Sequence, residues 1–419
     1  MSLNTKYLRT LKGKNLVKQY SLNTSYIATV HRCSNATILP YKKGESFNGN
    51  GGVVDEHGQY VKLSAEKFVS GKYNFEFPEI RDETVCYCGY LMHQWGHFLL
   101  DSLSRIWYCL EHDNEIEKYV FFTEDGNNVN LSGNYVELFK LLGIWDKIEI
   151  INKPVCFSKV IIPERGFVGG KYFSKNLLSL FNTISLNAKE SESWVQYDKI
   201  YFTRNQYKKS LSADIGYEML DDYFKKNGFH LIAPETLTLS QLIYTIRHAI
   251  VVASGSGSVS HNMLFANNGQ KLLILEKTVL NNDYQIGVNA ARDLDVTYID
   301  ANFAFYSVEI GYGPFIIAYR GKLEEYTKDQ NLVPPSEKYT TDKYMLSLFR
   351  QYMKQYKKNY HVRWVLDDWM FPYIDYLREA YLESEAFFYD YICGLRPYTF
   401  IQHFQLRFIK QAVKRLLNK

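Results

Sequence analysis

Residues 249–265 have the sequence AIVVASGSGSVSHNMLF, in which a short apolar run leads into a turn rich in glycine and serine. An apolar run of this length, bounded by turn residues, is typical of a strand buried on both faces of a sheet. The apolar residues that follow the turn, as far as Phe265, predict a helix. A strand, a glycine-containing turn and a helix in this order begin the repeating unit of parallel α/β sheets.

The segments that flank this stretch repeat the same alternation. The predicted strands lie at 199–203, 229–232, 271–275 and 296–299, and the predicted helices at 218–226 and 238–248. Asn227-Gly228 is a helix-stop pair, and Thr238 with Gln241 forms a capping box at the start of a helix. Strands that alternate with helices of this length indicate a parallel, doubly wound sheet.

A second, less regular α/β unit is predicted at roughly residues 80–185. Its predicted strands are 119–122, 147–151 and 160–162, its predicted helices are 90–111 and 134–142, and short strand-like pieces precede it at 26–30 and 60–63. After residue 335 glycine almost disappears, and aromatic and charged residues recur at helical spacing. We therefore predict an N-terminal α/β domain at 1–185, a C-terminal α/β domain at 186–335 and a helical extension at 336–419.

The composition excludes several classes of protein. Hydrophobic residues make up 46% of the 419-residue chain, so a packed core is expected and disorder is not. With 49 Lys and Arg against 45 Asp and Glu, the charge is too nearly balanced for nucleic acid to be the main partner. No apolar run approaches the roughly 18 residues of a spanning helix, and residues 1–20 do not resemble a signal peptide. Scattered cysteines indicate free thiols in a reducing compartment, so we expect a cytoplasmic protein.

The last segment, residues 404–419, predicts a helix with one apolar face and one face rich in lysine and arginine. Such a helix can lie on an anionic membrane surface, which would make the protein peripheral at the inner face of the cell membrane. It can equally dock on a domain with its lysines in water.

The first candidate for chemistry is a polar stripe on the first helix predicted in the N-terminal domain. His93, His97, Asp101 and Arg105 follow one another at four-residue spacing, which aligns side chains on one face of a helix. Asp101, one turn from His97, could orient its imidazole and tune it as a general base. A structural His–Asp pair is one alternative. A metal pair of His93 and His97 is another, although Gln94 stands where a zinc protease has glutamate.

The second candidate is the glycine-rich turn itself, at Gly255, Ser256, Gly257 and Ser258. Glycine lets a ligand approach the backbone closely, and free N–H groups at the start of the following helix favour a diphosphate. The turn lacks the Gly-Lys-Ser/Thr of a P-loop, and Ser260 stands at the third glycine of the dinucleotide fingerprint. A flexible tight turn without a ligand is the alternative.

Two further candidates end predicted strands of the C-terminal domain. Arg204 follows the strand predicted at 199–203. Glu276 follows the strand predicted at 271–275. Because ligands of doubly wound sheets bind at the carboxyl ends of strands, Arg204 could reach a phosphate and Glu276 a ribose diol. Either residue could equally be an ordinary surface group.

In combination these motifs resemble glycosyltransferase family 61, a group linked to capsular polysaccharide synthesis. The matching elements, in order, are Gly-His-x-Leu-Leu-Asp-x-Leu-x-Arg at Gly96–Arg105, Tyr-x-x-Arg at Tyr201–Arg204, Pro-Glu-x-Leu at Pro234–Leu237, a Gly-Ser…Asn-Met-Leu-Phe stretch at Gly257–Phe265, and Leu275-Glu276. The resemblance covers roughly residues 85–280. The chain departs from the family pattern where Ser256-Gly257 replaces His-Gly and Ser260-His261 replaces Leu-Thr.

The resemblance implies a GT-B-like architecture, with two facing Rossmann-like domains and the donor bound mainly by the C-terminal one. It also implies a nucleotide-sugar donor, inversion at the anomeric carbon and no metal or cofactor, since helix dipole and cations stabilise the departing diphosphate. His97 with Asp101 is then expected to act as the base, and His93 and Arg105 to face the acceptor. The residues expected to bind the donor are Arg204, Gly255, Ser256, Gly257, Ser258, Asn262 and Glu276.

We therefore predict an inverting, metal-independent glycosyltransferase that moves a sugar, expected to come from a UDP-sugar, to capsule, lipopolysaccharide or another cell-surface glycan. The expected partners are the nucleotide sugar, a glycan or lipid-linked glycan acceptor and, through residues 404–419, an anionic membrane surface. The alternative is a GT-B-like protein without catalytic activity that binds a glycan or serves as a scaffold. A metallohydrolase built on His93 and His97 is a third possibility.

Overall fold

The computed structural model describes residues 2–44, 48–124, 131–205, 214–278, 281–302 and 313–341, together with 343–345, 347–348, 351–352, 355 and 359. Most of the predicted extension at 336–419, and all of the basic segment at 404–419, lies outside the described residues. The predicted α/β class is confirmed, because strands and helices alternate through both halves of this part of the chain. None of the helices in these ranges combines the length and the apolarity needed to cross a membrane.

Most of the strands that apolar runs predict are present. In chain order the strands are β1 Ser2–Tyr7, β2 Val30–Lys42, β3 Asn50–Val54, β4 Glu79–Tyr90, β5 Lys118–Phe122, β6 Ile148–Ile151, β7 Val155–Pro163, β8 Phe167–Val168, β9 Tyr172–Phe173, β10 Lys199–Phe202, β11 Asp214–Ile215, β12 His230–Ile232, β13 Val251–Gly255, β14 Lys271–Glu276, β15 Asp295–Asp300 and β16 Phe315–Ile316. The piece predicted at 26–30 joins a strand only at its last residue. The piece predicted at 60–63 leads instead into a 3-10 turn, which the Ser64 hydroxyl closes by donating to the Val61 carbonyl.

Most helices connect consecutive strands. The α-helices are α1 Thr10–Gln19, α2 Trp95–Leu100, α3 Cys109–His112, α4 Asn134–Leu141, α5 Lys175–Asn187, α6 Tyr217–Lys226, α7 Leu239–His248, α8 Asp283–Ala291 and α9 Lys322–Asp329, and 3-10 helices lie at Lys62–Ser64, Ser102–Tyr108, Asp113–Glu115, Trp145–Lys147, Pro234–Thr236, Ser260–Phe265 and Glu337–Tyr339. The predicted capping box of Thr238 and Gln241 is present at the start of α7. Gly228 has a φ of 79° after α6, as the helix-stop pair predicts.

The C-terminal half forms a six-stranded sheet, which we call the parallel sheet. Its strand order is β1-β15-β14-β13-β10-β12, and every neighbouring pair is parallel. Alternate residues of its strands face two separate apolar clusters. Val252 and Leu272 pack in the cluster that contains α7 and α8, whereas Tyr201 and Ala253 pack in the one that contains α6 and α9. Helices therefore cover both faces, as expected of a doubly wound sheet.

The first strand of the chain lies in the parallel sheet and not in the N-terminal unit. β1 pairs in parallel with β15 at the edge of the sheet. Helix α1 is tied to the same sheet by ion pairs of Arg9 with Asp300 and of Lys12 with Glu276. The prediction of a continuous N-terminal domain is corrected for this segment, because its charged side chains find their partners only across the folded chain. The predicted boundaries near residues 185 and 335 stay predictions.

The N-terminal half forms a second six-stranded sheet, which we call the mixed sheet. Its strand order is β3-β2-β7-β4-β5-β6. β2 is antiparallel to both β3 and β7, whereas β7, β4, β5 and β6 run parallel to one another. Its parallel part thus places the carboxyl ends of β4 and β7 side by side.

Among the parallel strands of each sheet the strand order reverses once, at the point where a ligand crevice is expected. In the parallel sheet the chain proceeds from β10 to β12 on one side and from β13 through β15 on the other. In the mixed sheet β5 and β6 lie on one side of β4, and β7 lies on the other. Ligands of open α/β sheets bind outside the carboxyl ends of the strands at such switch points. The segments that follow β4, β7, β10 and β13 are therefore the places where this fold favours a site.

One apolar cluster extends from one sheet to the other. It contains Tyr119 and Phe121 of the mixed sheet, Ile200 and Val252 of the parallel sheet, and the buried face of α5. The two sheets are therefore packed through a common core. The GT-B arrangement of two facing domains stays a prediction.

The helix predicted at 90–111 is broken into shorter pieces. β4 continues to Tyr90, α2 begins at Trp95, and a 3-10 helix begins at Ser102. A 3-10 helix has three residues per turn, so side chains four apart do not stay on one face. The predicted four-residue stripe therefore ends at Asp101.

Candidate active site

His97 and Asp101 are the part of the predicted stripe that forms in the folded chain. His97 lies in α2, and Asp101 follows the last residue of that helix. His97 Nδ1 lies 2.7 Å from Asp101 Oδ2, and because a carboxylate only accepts, the ring donates from Nδ1 and keeps its lone pair on Nε2. The side chain of Asp101 is 1% exposed and that of His97 is 24% exposed. A solvent-facing imidazole held by a buried carboxylate is suited to act as a general base.

Asp101 accepts hydrogen bonds from two further segments. Arg165, shortly after β7, places Nη2 2.5 Å from Asp101 Oδ1. Tyr284 in α8 places Oη 2.7 Å from Asp101 Oδ2. Burial alone would raise the pKa of Asp101, but the hydrogen bond from His97 and the charge of Arg165 outweigh it, so this pKa lies below its ordinary value. Asp101 is therefore a buried anion with three donors.

The predicted acceptor-side residues, His93 and Arg105, do not join this pair. His93 precedes α2, is exposed, and has its ring centroid 6.1 Å from that of Tyr135. Arg105 lies in the 3-10 helix and is fully buried, with Nε 2.7 Å from Glu66 Oε1. Its role is corrected to a structural one, because a buried, ion-paired guanidinium does not face an acceptor.

The glycine-rich turn after β13 presents a row of backbone N–H groups. The Ser256 N–H donates to the Leu275 carbonyl at 2.9 Å and anchors the start of the turn. Among the described residues, no acceptor faces the amides of Gly257, Ser258 and Val259, and all three residues are half-buried. Gly257 has a φ of 134°, a backbone conformation in which a side chain would be strained. Successive free amides of this kind form a concavity that suits an anion.

The helix predicted after this turn is only a short 3-10 helix, Ser260–Phe265. The Ser260 hydroxyl and N–H both donate to the Gly257 carbonyl, which tightens the chain into this geometry. A helix of this length has a small dipole. The predicted contribution of a helix dipole is therefore corrected, and the row of free amides in the turn is the feature that suits an anion.

Two cations and one carboxylate lie beside the turn. Arg204 follows β10, and its Nη1 lies 3.9 Å from the position that a Cβ on Gly257 would take. Asp214 Oδ2 lies 3.0 Å from Arg204 Nε, and Asp214 Oδ1 lies 2.9 Å from Lys277 Nζ. Burial lowers the pKa of Lys277, and the charge of Asp214 partly restores it. When Lys277 is protonated, two cations share one carboxylate, so this corner has positive charge to offer an anionic ligand.

Gly255 and Ser256 lie beneath the turn. A Cβ on Gly255 would lie 2.6 Å from Tyr217 Oη, so this glycine makes room for a tyrosine. Ser256 is 5% exposed, and its Oγ accepts from the Lys277 N–H at 3.4 Å. The donor-binding roles predicted for both residues are corrected to structural ones, because both are buried among the protein's own groups.

Glu276 is also placed differently from its prediction. It is 1% exposed, and its Oε2 accepts from Lys12 Nζ at 2.8 Å. Burial raises the pKa of Glu276, and the charge of Lys12 opposes this. A carboxylate that is buried and ion-paired does not face a ribose, so the predicted contact is corrected.

Helix α2 touches the glycine-rich turn directly. Trp95 Nε1 donates to Asn262 Oδ1 at 2.8 Å, so the side chain predicted to bind the donor instead links the two halves. A Cβ on Gly96 would lie 2.7 Å from His261 Nδ1 and 3.0 Å from Ser258 Cβ. The candidate base, His97, is the next residue, so it lies beside the glycine-rich turn. The two switch points therefore meet in one candidate active site.

His261 is a buried histidine at this junction. Its ring centroid lies 5.9 Å from that of Tyr284 in a stacked arrangement. The side chain of Asn282 approaches the ring and opposes part of the effect of burial on the His261 pKa. Burial, with a smaller contribution from the charge of His97, lowers the pKa of His261 to about 3, so this ring is neutral at physiological pH.

Sequence patterns do not single out Arg165, Lys277 or Tyr284 as site residues. Arg165 and Lys277 follow β7 and β14 closely, so the rule that ligands bind at strand ends, which selects Arg204, could have selected them too. Tyr284 carries no such signal, because it reaches Asp101 from 183 positions away along the chain.

The candidate site combines an imidazole–carboxylate pair with a cationic turn that suits an anion, at the switch points of two α/β sheets. This arrangement is expected of an enzyme that transfers a group from a phosphorylated donor. Residues 95–273 match the family model described as Glycosyltransferase 61, and this range contains His97, Asp101, Arg204 and the turn. The match confirms the resemblance to glycosyltransferase family 61 and supports a glycosyltransferase role. No curated protein matches the chain.

Proposed function

We propose that the protein transfers a sugar from a nucleoside-diphosphate sugar to a hydroxyl of a glycan, with His97 as the general base. The observation that carries this proposal is the contact of α2 with the glycine-rich turn, at Gly96 and Ser258. It brings the base within reach of a donor whose diphosphate lies on the turn. Proximity of this kind makes an otherwise bimolecular step effectively unimolecular.

The donor's diphosphate would accept hydrogen bonds from the amides of Gly257, Ser258 and Val259. Arg204 and Lys277 would neutralise the charge that develops as the diphosphate leaves. Because these two cations supply that charge, we expect transfer without a divalent metal. A UDP-sugar is the donor we expect from the family.

His97 Nε2 would remove the proton from the acceptor hydroxyl as its oxygen attacks the anomeric carbon. The bond from that carbon to the diphosphate breaks as the new glycosidic bond forms. Attack from the face opposite the leaving group inverts the configuration at this carbon. Asp101 would stabilise the imidazolium that results.

We propose a cell-surface glycan, such as capsule or lipopolysaccharide, as the acceptor, and a position at the inner face of the membrane. Family 61 motifs support the first part of this proposal. The basic segment at 404–419 supports the second, through attraction of its cations to anionic lipid.

Nucleotide binding and turnover test the proposal separately on the full chain. UDP, GDP and CMP are titrated calorimetrically, and UDP-sugar hydrolysis is followed as a reaction that needs no known acceptor. We expect Arg204→Ala and Lys277→Ala each to weaken UDP binding by about tenfold or more, because each loses a charge-assisted hydrogen bond. Lys199→Ala, at the opposite and exposed end of β10, is the matched control and should bind UDP normally.

His97→Ala should lower hydrolysis by about a hundredfold or more and leave UDP affinity unchanged, because the base does not hold the diphosphate. Equal losses of binding and turnover in this variant would refute the division of roles. Absence of binding by all three nucleotides at millimolar concentration would instead favour a scaffold without catalytic activity.

A further inference from the structure

Tyr284 comes from the parallel-sheet half and contacts the catalytic pair of the other half. It lies in the first turn of α8, where the Asn282 side chain accepts from the N–H groups of Tyr284 and Gln285. Its Oη lies 2.7 Å from Asp101 Oδ2, the oxygen that also accepts from His97 Nδ1. The rings of Tyr284 and His97 meet edge to face, with centroids 5.2 Å apart. Tyr284 therefore touches both members of the pair.

The hydrogen of the Tyr284 hydroxyl is directed at Asp101. Lys67 Nζ lies 2.5 Å from Tyr284 Oη and 4.1 Å from the centroid of its ring. An ammonium group only donates, so the hydroxyl oxygen accepts from Lys67 and its hydrogen goes to Asp101. Burial and the charge of Asp101 raise the pKa of Tyr284 well above its ordinary value, so the hydroxyl keeps this hydrogen.

We propose that Tyr284 is a positioning residue for His97. The Tyr284 hydroxyl weakens the electrostatic attraction between Asp101 and the protonated imidazole of His97. Two donors share Asp101 Oδ2, so less of its negative charge is available to stabilise the imidazolium. The imidazolium that forms when His97 takes a proton is then stabilised less, so the proton is released more readily. The catalytic consequence rests on the proposed function, whereas the coupling of the three side chains does not.

The charged and titratable groups around His97 come from several elements. They are Asp101 after α2, Arg165 after β7, Tyr284 in α8, His261 in the 3-10 helix after the turn, and Lys67 with its neighbour Glu66 and Asp283 behind it. His261 is neutral, and Arg165 contacts the other carboxylate oxygen of Asp101. The Tyr284 hydroxyl and His97 Nδ1 are the groups that share Oδ2.

The test is the protonation of His97, followed by ¹⁵N NMR of the histidine-labelled full chain, with His97→Gln to assign the signal. In Tyr284→Phe we expect the midpoint of the His97 titration to move to higher pH, and the Nδ1–H proton to move downfield. Tyr223→Phe is the matched control, because it removes another buried tyrosine hydroxyl, which bonds Thr327 and lies in the apolar cluster of α6 and α9. An unchanged midpoint in a folded Tyr284→Phe protein would overturn the inference.

Lys67→Met provides a second variant that leaves the tyrosine in place. It removes a positive charge near the imidazolium and frees the hydroxyl from its directed donor, so the midpoint should again rise. A midpoint that moved down in this variant would contradict the proposed coupling.

These readouts need no sugar donor, so a failure of nucleotide binding would count against the proposed function alone. If transfer is measured, the acid limb of kcat should shift in the same direction in Tyr284→Phe, with the donor KM unchanged.

Discussion

Lys12 and Glu276 form an ion pair that is almost entirely out of contact with water. The two side chains are 1% and 2% exposed, and Lys12 Nζ lies 2.8 Å from Glu276 Oε2. Lys12 also donates to the Thr278 carbonyl at 2.5 Å. Each charge in such a pair depends on the other, because a buried charge without its partner keeps the full cost of desolvation.

Lys12→Met is expected to lower the free energy of unfolding by about 3–5 kcal/mol, since it leaves the Glu276 carboxylate buried without its partner. The double variant with Glu276→Leu should regain much of this loss, because no charge then remains buried. Urea denaturation measures both. Lys6→Met, which removes an exposed ion pair with Asp329, is the control and should change little. Similar small effects of the two lysine variants would contradict the burial argument.

At the scale of elements, α2 is the helix that brings His97 to the glycine-rich turn. This helix has only six residues, and it lies against the turn at Gly96. A 3-10 helix follows it and turns Arg105 into the core. The short α-helix and the change of helix type therefore separate the His97–Asp101 pair from a buried arginine that is only four residues further along.

Gly96→Ala is expected to destabilise the protein by about 1–3 kcal/mol, because its Cβ would collide with His261 and Ser258. We also expect weaker UDP binding, since relief of the collision moves the turn. Thermal unfolding and calorimetry measure the two effects. The control is Gly13→Ala in α1, where the nearest atom lies 3.6 Å away and the substitution should stabilise by about 0.5–1 kcal/mol. Unchanged stability and UDP affinity in Gly96→Ala would show that α2 does not constrain the turn.

At the scale of the whole molecule, Asp101 ties together segments from both halves. His97 and Arg165 come from the mixed-sheet half, and Tyr284 comes from the parallel-sheet half. The apolar cluster shared by the two sheets holds these segments in place. The ionisation of one carboxylate is therefore coupled to the packing of the two halves against each other.

Asp101 should contribute to an acid dependence of stability. Its folded-state pKa lies below the ordinary value of 3.8, so the unfolded chain binds the proton more readily. The stabilisation is present above about pH 4 and is lost as pH falls through the folded-state pKa. Urea unfolding between about pH 2 and pH 6 should therefore show the gap between wild type and Asp101→Asn narrowing in acid. Asp82→Asn, at an exposed position of β4, is the control, and a gap independent of pH would refute the assignment.

Much of the fold and part of the site follow from local patterns. The apolar runs of β10, β13, β14 and β15 and the capping box of α7 predict the parallel sheet, because a strand buried on both faces needs no information beyond its own residues. The His97–Asp101 pair follows from helical spacing over a single turn. The roles of Glu276, Asn262 and Arg105 do not follow, because a polar residue near a strand end or in a helix looks the same in sequence whether it faces a ligand or a buried partner.

Sequence alone thus determined the α/β class, the family resemblance and the proximity of His97 to Asp101, all of which depend on neighbours along the chain. Only the tertiary structure decided that β1 completes the parallel sheet, that Lys12 forms an ion pair with Glu276, and that Tyr284 donates a hydrogen bond to Asp101. These contacts join residues from distant parts of the chain, and their energy comes from pairing polar groups that packing has removed from water. No local pattern specifies which of many possible partners packing will supply.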